Sequence, residues 1–475
     1  MKGLMKGLGI DDVEVGARAE DTRTVTANDL VFYSHASGDL NPLHLPELDG
    51  DGDGSPEAIA PPAYLVGLIS ALIGSKLPGP GSRETRWLVE IGEPVRLGEQ
   101  VRVSIEVAGK QDTAVVIDAA ADGPSGRALT ARVEVHPPER PSDFEAYALP
   151  DLLVRRHAKF ERLLAACEGI EPARVAVVCP YSEDALEGAI AAAERKLIEP
   201  ILVGERAKIE SAAKAHDCDI EAFRIVEADD ARAAAEAACT LVRSGEADSV
   251  MKGHLHTDTL LRAVLDRTSG LRGDRRLSHV FIMDVPGVDH LLFVTDAAVN
   301  INPDLQAKAD ICRNAIEIAR AMGVKEPKAG VLSAVETVNP ALPSTLDAAA
   351  LAKMSERGQI KGGVVDGPLA MDNAVDLEAA RIKGLKGEVA GRADILVAPN
   401  LEAGNMLAKE LTFVARAESA GLVVGARAPV ILTSRADSEF SRLVSCAASA
   451  LYSAWLKTGE PAPGLTASSK DAQTS

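Results

Sequence analysis

The stretch Val135 to Asp151, reading VHPPERPSDFEAYALPD, constrains this chain more than any other. Each proline in it removes a backbone donor and fixes φ, and its apolar residues follow neither a helical nor a strand period. It therefore predicts a linker over 137–151. Before it lie short alternating segments around one apolar stretch. After it, short apolar runs alternate with Ala-rich helical patterns for some three hundred residues. The length of 475 residues allows about three domain-sized cores. The division expected is a first domain at 1–136, an α/β region at 152–460 and a disordered tail at 461–475.

Composition narrows the classes. A net charge of −19 and an isoelectric point near 5.0 oppose phosphate-backbone binding, so nucleic acid is excluded as a general partner and any anionic ligand needs a local basic pocket. Cys167, Cys179, Cys218, Cys239, Cys312 and Cys446 lack CxxC spacing, which argues against a zinc site or a disulfide framework. Asp49 to Gly54 imitates the opening of a calcium loop, but its twelfth position is Ala60 rather than a bidentate Glu. No metal is expected. There is no run of eighteen apolar residues and no signal-peptide core, so the expectation is a cytoplasmic protein with no membrane partner.

In the first domain the sharpest signal is YSHASGDLNPLHL, Tyr33 to Leu45. It resembles the signature of MaoC-like, (R)-specific enoyl-CoA hydratases, whose Gly-Asp-x-Asn-Pro-x-His core implies Asp39 and His44 as the catalytic pair. Hydrating an enoyl thioester needs one group to take a proton from water and one to orient it or protonate the α-carbon. The alternative is turn chemistry at Gly-Asp and Asn-Pro with a surface histidine. PPAYLVGLISALIGSKL, Pro61 to Leu77, is apolar on nearly every face and predicts a helix buried on all sides. Four strand candidates follow, near 86–95, 100–107, 114–120 and 129–135. Motif, helix and meander together imply an α+β hot-dog domain. Ser70 falls where the family often has a serine near the catalytic pair. Pro62 stands where the family usually has a glycine whose N–H polarises the thioester carbonyl, and proline has no N–H to give. Two readings stay open for this domain: an active hydratase, and a non-catalytic acyl-CoA-binding or dimerising module.

The second half carries six blocks in order: VMKGHLHT (250–257), SHVFIMDVPG (278–287), LLFVTDAAVNINP (291–303), DGPLAMDNAV (366–375), APNLEAGNML (398–407) and PVILTSRADS (429–438). They resemble phosphate acetyl- and butyryltransferases, with FVTDAAVNINP and TSRADS nearer the butyryl branch. The resemblance implies transfer of an acyl group between coenzyme A and inorganic phosphate, with no tightly bound cofactor. Its implied architecture is a two-lobed α/β acyltransferase similar to isocitrate and isopropylmalate dehydrogenases. Phosphate and thiolate are both anions, so the site must neutralise and align them. Ser434 and Arg435, at a strand end before a helix near Ser438, are the first choice for catalysis. Lys252, His256 and Thr257, at another strand-to-helix junction, are expected to bind substrate. Arg275 and Arg276, in a basic loop, suit phosphate or the CoA pyrophosphate, and Asn300 and Asn405 are polar groups within matching blocks. Phe440 and Ser441 occupy the places where acetyltransferases carry a proposed thiol base, which leaves Asp437 or Glu439 as weaker choices. A homo-oligomer is expected, because hot-dog domains resemble half-complete units. The competing class is a non-catalytic scaffold that keeps acyl-CoA pockets.

Overall fold

A computed structural model of the chain describes residues 4–46, 48–50, 52, 57–145, 157–432 and 437–466. Ser434, Arg435, part of the calcium-loop imitation (Asp51, Asp53 and Gly54) and 467–475 lie outside the described residues. Contacts divide the molecule into two units built mainly from Met1–Val154 and Arg155–Ser469.

The first unit contains β1 (Leu4–Gly7), β2 (Arg18–Thr24), α1 (Ala27–Ser37), α2 (Pro62–Ser75), β3 (Arg83–Ile91), β4 (Gln100–Gln111), β5 (Ala114–Gly123), β6 (Gly126–His136) and β7 (Ser142–Glu145). Five strands form an antiparallel sheet in the order β2-β4-β5-β6-β3. Period-two alternation turns Val101, Val103, Ile105 and Val107 of β4, with Val115 and Ile117 of β5, into one core. Leu65, Ile69, Leu72 and Ile73 of α2 close that core at helical spacing. This is the expected hot-dog arrangement of helix on sheet.

Two expectations for this unit are corrected. The helix is not buried on all sides, since Ala63, Gly67, Ala71 and Gly74 are exposed. The sheet covers one side only, and small residues counted as apolar by the sequence pattern make up the other face. The stretch read as pure linker contains β7, antiparallel to β1 with Met5 opposite Phe144. No proline falls between Pro141 and Pro150, so Ser142–Glu145 keeps the donors that a strand needs.

The second unit is α/β. Its strands are β8 (Ala173–Val178), β9 (Ile198–Gly204), β10 (Arg224–Glu227), β11 (Ser249–Lys252), β12 (Ser278–Asp284), β13 (Leu292–Thr295), β14 (Lys328–Leu332), β15 (Val364–Leu369), β16 (Ile395–Val397), β17 (Glu418–Val424) and β18 (Val430–Ile431). Its helices are α3 (Ala158–Cys167), α4 (Glu183–Glu194), α5 (Arg206–Ala215), α6 (Ala231–Arg243), α7 (Thr257–Leu265), α8 (Leu305–Ala321), α9 (Pro343–Glu356), α10 (Met371–Val375), α11 (Leu377–Ile382), α12 (Leu401–Lys409), α13 (Glu439–Thr458) and α14 (Pro463–Thr466).

Among the described residues these eleven strands form one sheet, ordered β10-β9-β8-β11-β18-β17-β12-β13-β16-β14-β15. The run β10 to β18 is parallel, as is the run β13 to β15. Between them β17 and β12 pair antiparallel with both neighbours, so the two parallel runs point in opposite directions. The two expected lobes are thus halves of a continuous sheet. Its central strands are buried on both faces and read as near-continuous apolar runs, which is why most were legible. At the C-terminal end the first residues of the tail expected from Pro461 are ordered instead, because Ala462 is buried and α14 packs on α3. Among the described residues no helix is long and apolar enough to cross a membrane.

Candidate functional site

In the first unit, α1 ends at Gly38 in the left-handed conformation, φ 75°, and the chain turns sharply into Asp39. Asn41 accepts from the Leu43 amide and caps the short turn Pro42–His44, while Asp39 accepts from the Asn41 amide at 3.0 Å. These turns bring Asp39 Oδ2 to 2.7 Å from His44 Nδ1, with side-chain exposures of 24% and 14%. The Asn41 amide and then the His44 ring hold the Asp39 carboxyl below the usual carboxylate range. An ionised Asp39 accepts a hydrogen bond from Nδ1–H, which leaves Nε2, with no hydrogen-bond partner among the described residues, to accept a proton from water.

Ser70 Oγ donates to Glu84 Oε1 at 2.8 Å, and Trp87 Nε1 donates to Glu84 Oε2 at 3.1 Å. Ser70 is therefore committed to a carboxylate that the sequence did not single out, and no hydrogen bond joins it to Asp39 or His44 among the described residues. Helix α2 starts at Pro62 with no side-chain cap. Tyr64 and Leu65 amides both reach Pro61 O, which leaves Ala63 as the first helical N–H without a partner among the described residues.

In the second unit the expected residues gather in two groups. The first lies where β11 meets α7. Gly253 is required there, because a Cβ would stand 2.4 Å from Val178 O and 2.5 Å from Cys179 O. Lys252 is half-buried, and exposed His256 is the N-cap of α7 without a side-chain cap bond. Thr259 and Leu260 amides turn back to His256 O, so Thr257 and Asp258 amides have no partner among the described residues. A cation beside an uncapped helix N-terminus suits an anion. Strand β18 runs beside β11 in the register Val250↔Val430 and Met251↔Ile431, so the last residues of β18 lie beside the end of β11 that carries Lys252.

At that same end of the sheet, Glu418 opposes Asp284 across β17 and β12. Glu418 Oε2 accepts from Ser438 Oγ at 3.3 Å and Ser441 Oγ at 3.2 Å, and Ser438 itself caps α13 through the Ser441 amide. Asp284 is 4% exposed and pairs with Lys159 Nζ at 2.7 Å. Sequence reading missed both carboxylates. Asp284 stood inside a matching block without a spacing signal, and Glu418 comes to α13 only through strand pairing.

The second group follows the opposite direction of β13. Asp296 is buried and accepts from the amides of Ala298, Val299 and Asn300. Asn300 Nδ2 donates to Asp296 and Leu277 O, while Asn300 Oδ1 accepts from Arg276 Nε at 2.6 Å. Asn405 Nδ2 donates to Ala297 O at 3.1 Å. Arg275 pairs with Glu317 at 2.6 Å. Arg276 and Asn300 hold each other, Asn405 holds the loop after β13 and Arg275 is tied to α8, and the strand directions put this group at the other end of the sheet from Lys252, His256 and Thr257.

Residues 229–450 match the family model described as Phosphate acetyl/butaryl transferase, and residues 12–123 match the MaoC like domain. A phosphate acetyltransferase of Rhizobium meliloti is 56% identical over 297 residues, which is 62% of this chain and 94% of that protein. A phosphate butyryltransferase of Clostridium acetobutylicum is 45% identical over 292 residues, 62% of this chain and 97% of that protein. Overall identity between these two does not follow the butyryl branch that two blocks resemble. The crystal structure of a branched-chain phosphotransacylase from Enterococcus faecalis V583 superimposes with a TM-score of 0.52 at 31% identity, covering 59% of this chain and 99% of that one.

Proposed function

Because the chain belongs to the phosphate acetyl- and butyryltransferase family, with a MaoC-like domain ahead of that region, we propose that it moves a short acyl group between coenzyme A and inorganic phosphate. A phosphate oxygen attacks the thioester carbonyl, the C–S bond breaks, and CoA leaves as thiolate to be protonated. The observation that carries this reading is the half-buried Lys252 beside the uncapped start of α7, at the end of β11 that pairs with the end of β18. Lys252, Thr257 and the α7 amides bind the phosphate in this reading, Arg435 neutralises the developing oxyanion, and Glu418 exchanges the thiol proton. We read the two oppositely directed parallel runs as lobes of an isocitrate/isopropylmalate dehydrogenase-like architecture, working as a homo-oligomer in the cytoplasm without a tightly bound cofactor.

The test is release of free CoA from acetyl-, butyryl- and crotonyl-CoA with and without phosphate. Release should require phosphate, and Arg435→Ala should lower kcat/KM about a hundred- to thousand-fold. Retained acyl-CoA binding without turnover in the parent chain would favour the scaffold reading instead.

For the first unit, the 2.7 Å Asp39–His44 pair supports hydration of short enoyl-CoA, with the Ala63 N–H replacing the donor lost at Pro62. In the same crotonyl-CoA sample, enoyl absorbance should fall without phosphate. Asp39→Asn should slow that fall by at least about a hundredfold. No loss of enoyl absorbance in the parent chain would leave this unit an acyl-CoA-binding module.

A further inference from the structure

A pocket of about 290 Å³ in the second unit shares Arg275 with the second group of residues and none with Lys252, Thr257, Glu418 or Asp284. Arg275, Arg313, Arg320, Lys361, Glu317 and Trp455 are among its walls. Four cations there face a single carboxylate, in a chain whose net charge is −19. Crowding like charges in one cavity is unfavourable unless an anion joins them.

Two of the four cations are already compensated. Arg275 pairs with Glu317 at 2.6 Å, and Arg313 pairs with Asp310 at 2.7 Å while donating to Gln359 O. Arg320 and Lys361 have no acidic partner among the described residues. Tyr452 and Trp455 stack at 6.0 Å with 12° between their planes, so the aromatic wall is stiff.

Position separates this pocket from the acyl-transfer residues. Arg275 precedes β12, whereas Glu418 and Asp284 mark the far end of that strand. Trp455 lies sixteen residues along α13 from Glu439, roughly 24 Å by helical rise. The volume is at the bottom of the roughly 300–1,000 Å³ range of small-molecule sites, too small to enclose a whole coenzyme.

We propose that this pocket is a second anion site, which takes a small diphosphate through Arg320 and Lys361, with Arg275 and Arg313 fixed behind them by their carboxylates. The diphosphate is either inorganic pyrophosphate or the terminal group of a nucleotide whose base remains outside.

Calorimetric titration of the full chain with pyrophosphate, and separately with ADP, tests this, alongside Lys361→Glu and Arg320→Ala. Both variants should bind pyrophosphate at least about tenfold more weakly, as when a charge-assisted contact is lost. Their phosphate-dependent CoA release should stay within about twofold of the parent, a change too small to mark a lost contact. Lys361 is exposed, so its replacement leaves the fold intact. Tighter binding of ADP than pyrophosphate would identify a nucleotide, and the reverse the inorganic ion. No heat from either probe with the parent chain, or equal affinity in parent and both variants, would overturn the proposal, the second outcome placing the anion in the acyl-transfer site.

Discussion

His279 shows how a single residue can carry the pH response of this fold. It is 2% exposed at the start of β12, packed edge-on against Phe281 at 4.3 Å, with Nδ1 lacking a partner among the described residues. Its ring fits because β17 has Gly421 two residues from its paired Val423, where a Cβ would stand 2.8 Å from Nε2. Burial pushes its pKa down to about 4, with nearby Asp296 opposing the shift. The folded state keeps His279 neutral while the unfolded chain takes up a proton near pH 6.5. The stabilisation is therefore complete above about 6.5 and lost as pH falls toward 4, on the order of 1–3 kcal/mol. Urea unfolding at several pH values should show that slope in the parent chain and a shallower one in His279→Leu. An unchanged slope in the variant would assign the effect to other groups. Residues of this kind were not legible beforehand, since only the opposite strand reveals His279 as buried. Asp39 and His44 were legible, because one contiguous turn brings them together.

At the scale of elements, strand pairing decides what the sequence could and could not announce. Apolar runs such as Val175–Val178 and Phe293–Val294 mark strands buried on both faces. Strand β17 is hard to read in the sequence because Ser419, Ala420 and Gly421 dilute its pattern, and it is defined by pairing with both β12 and β18. That pairing also brings Glu418 beside Asp284, and α3 then clamps the end of β12 through Lys159. Lys159 Nζ reaches Asp284 Oδ1 at 2.7 Å and the carbonyls of Val285 and Val288, with Lys159 15% exposed and the Asp284 side chain 2% exposed. Removing one partner of such a pair strands the other charge. Asp284→Ala should destabilise the second unit by about 3–5 kcal/mol in urea unfolding, and Asp284→Asn by less because a hydrogen bond survives. A loss below about 1 kcal/mol would mean that Lys159 finds water instead.

For the whole molecule, what matters is that hydrophobic burial is accounted for unit by unit. The first unit encloses Leu65, Ile69, Ile105, Ile117 and Leu129 in one cluster. The second encloses Phe160, Phe293, Ile311 and Ile316 in a cluster that shares no residue with the first. The first unit's sheet is antiparallel and self-contained, and the second unit's sheet spans all eleven of its strands. Each unit therefore has the buried area that makes a domain independently stable. The proline-rich seam supplied the sequence reason to look for the division, although it could not reveal that β7 returns to pair with β1. Fragments 1–154 and 155–475 should each unfold cooperatively when expressed alone. The second fragment should keep the phosphate-dependent CoA release of the full chain within a few-fold, since every residue assigned to acyl transfer lies beyond 155. A folded second fragment with no such release would show that the reaction needs the first unit, and would shift the assignment of the acyl-transfer site away from Lys252, Thr257 and Arg435 alone.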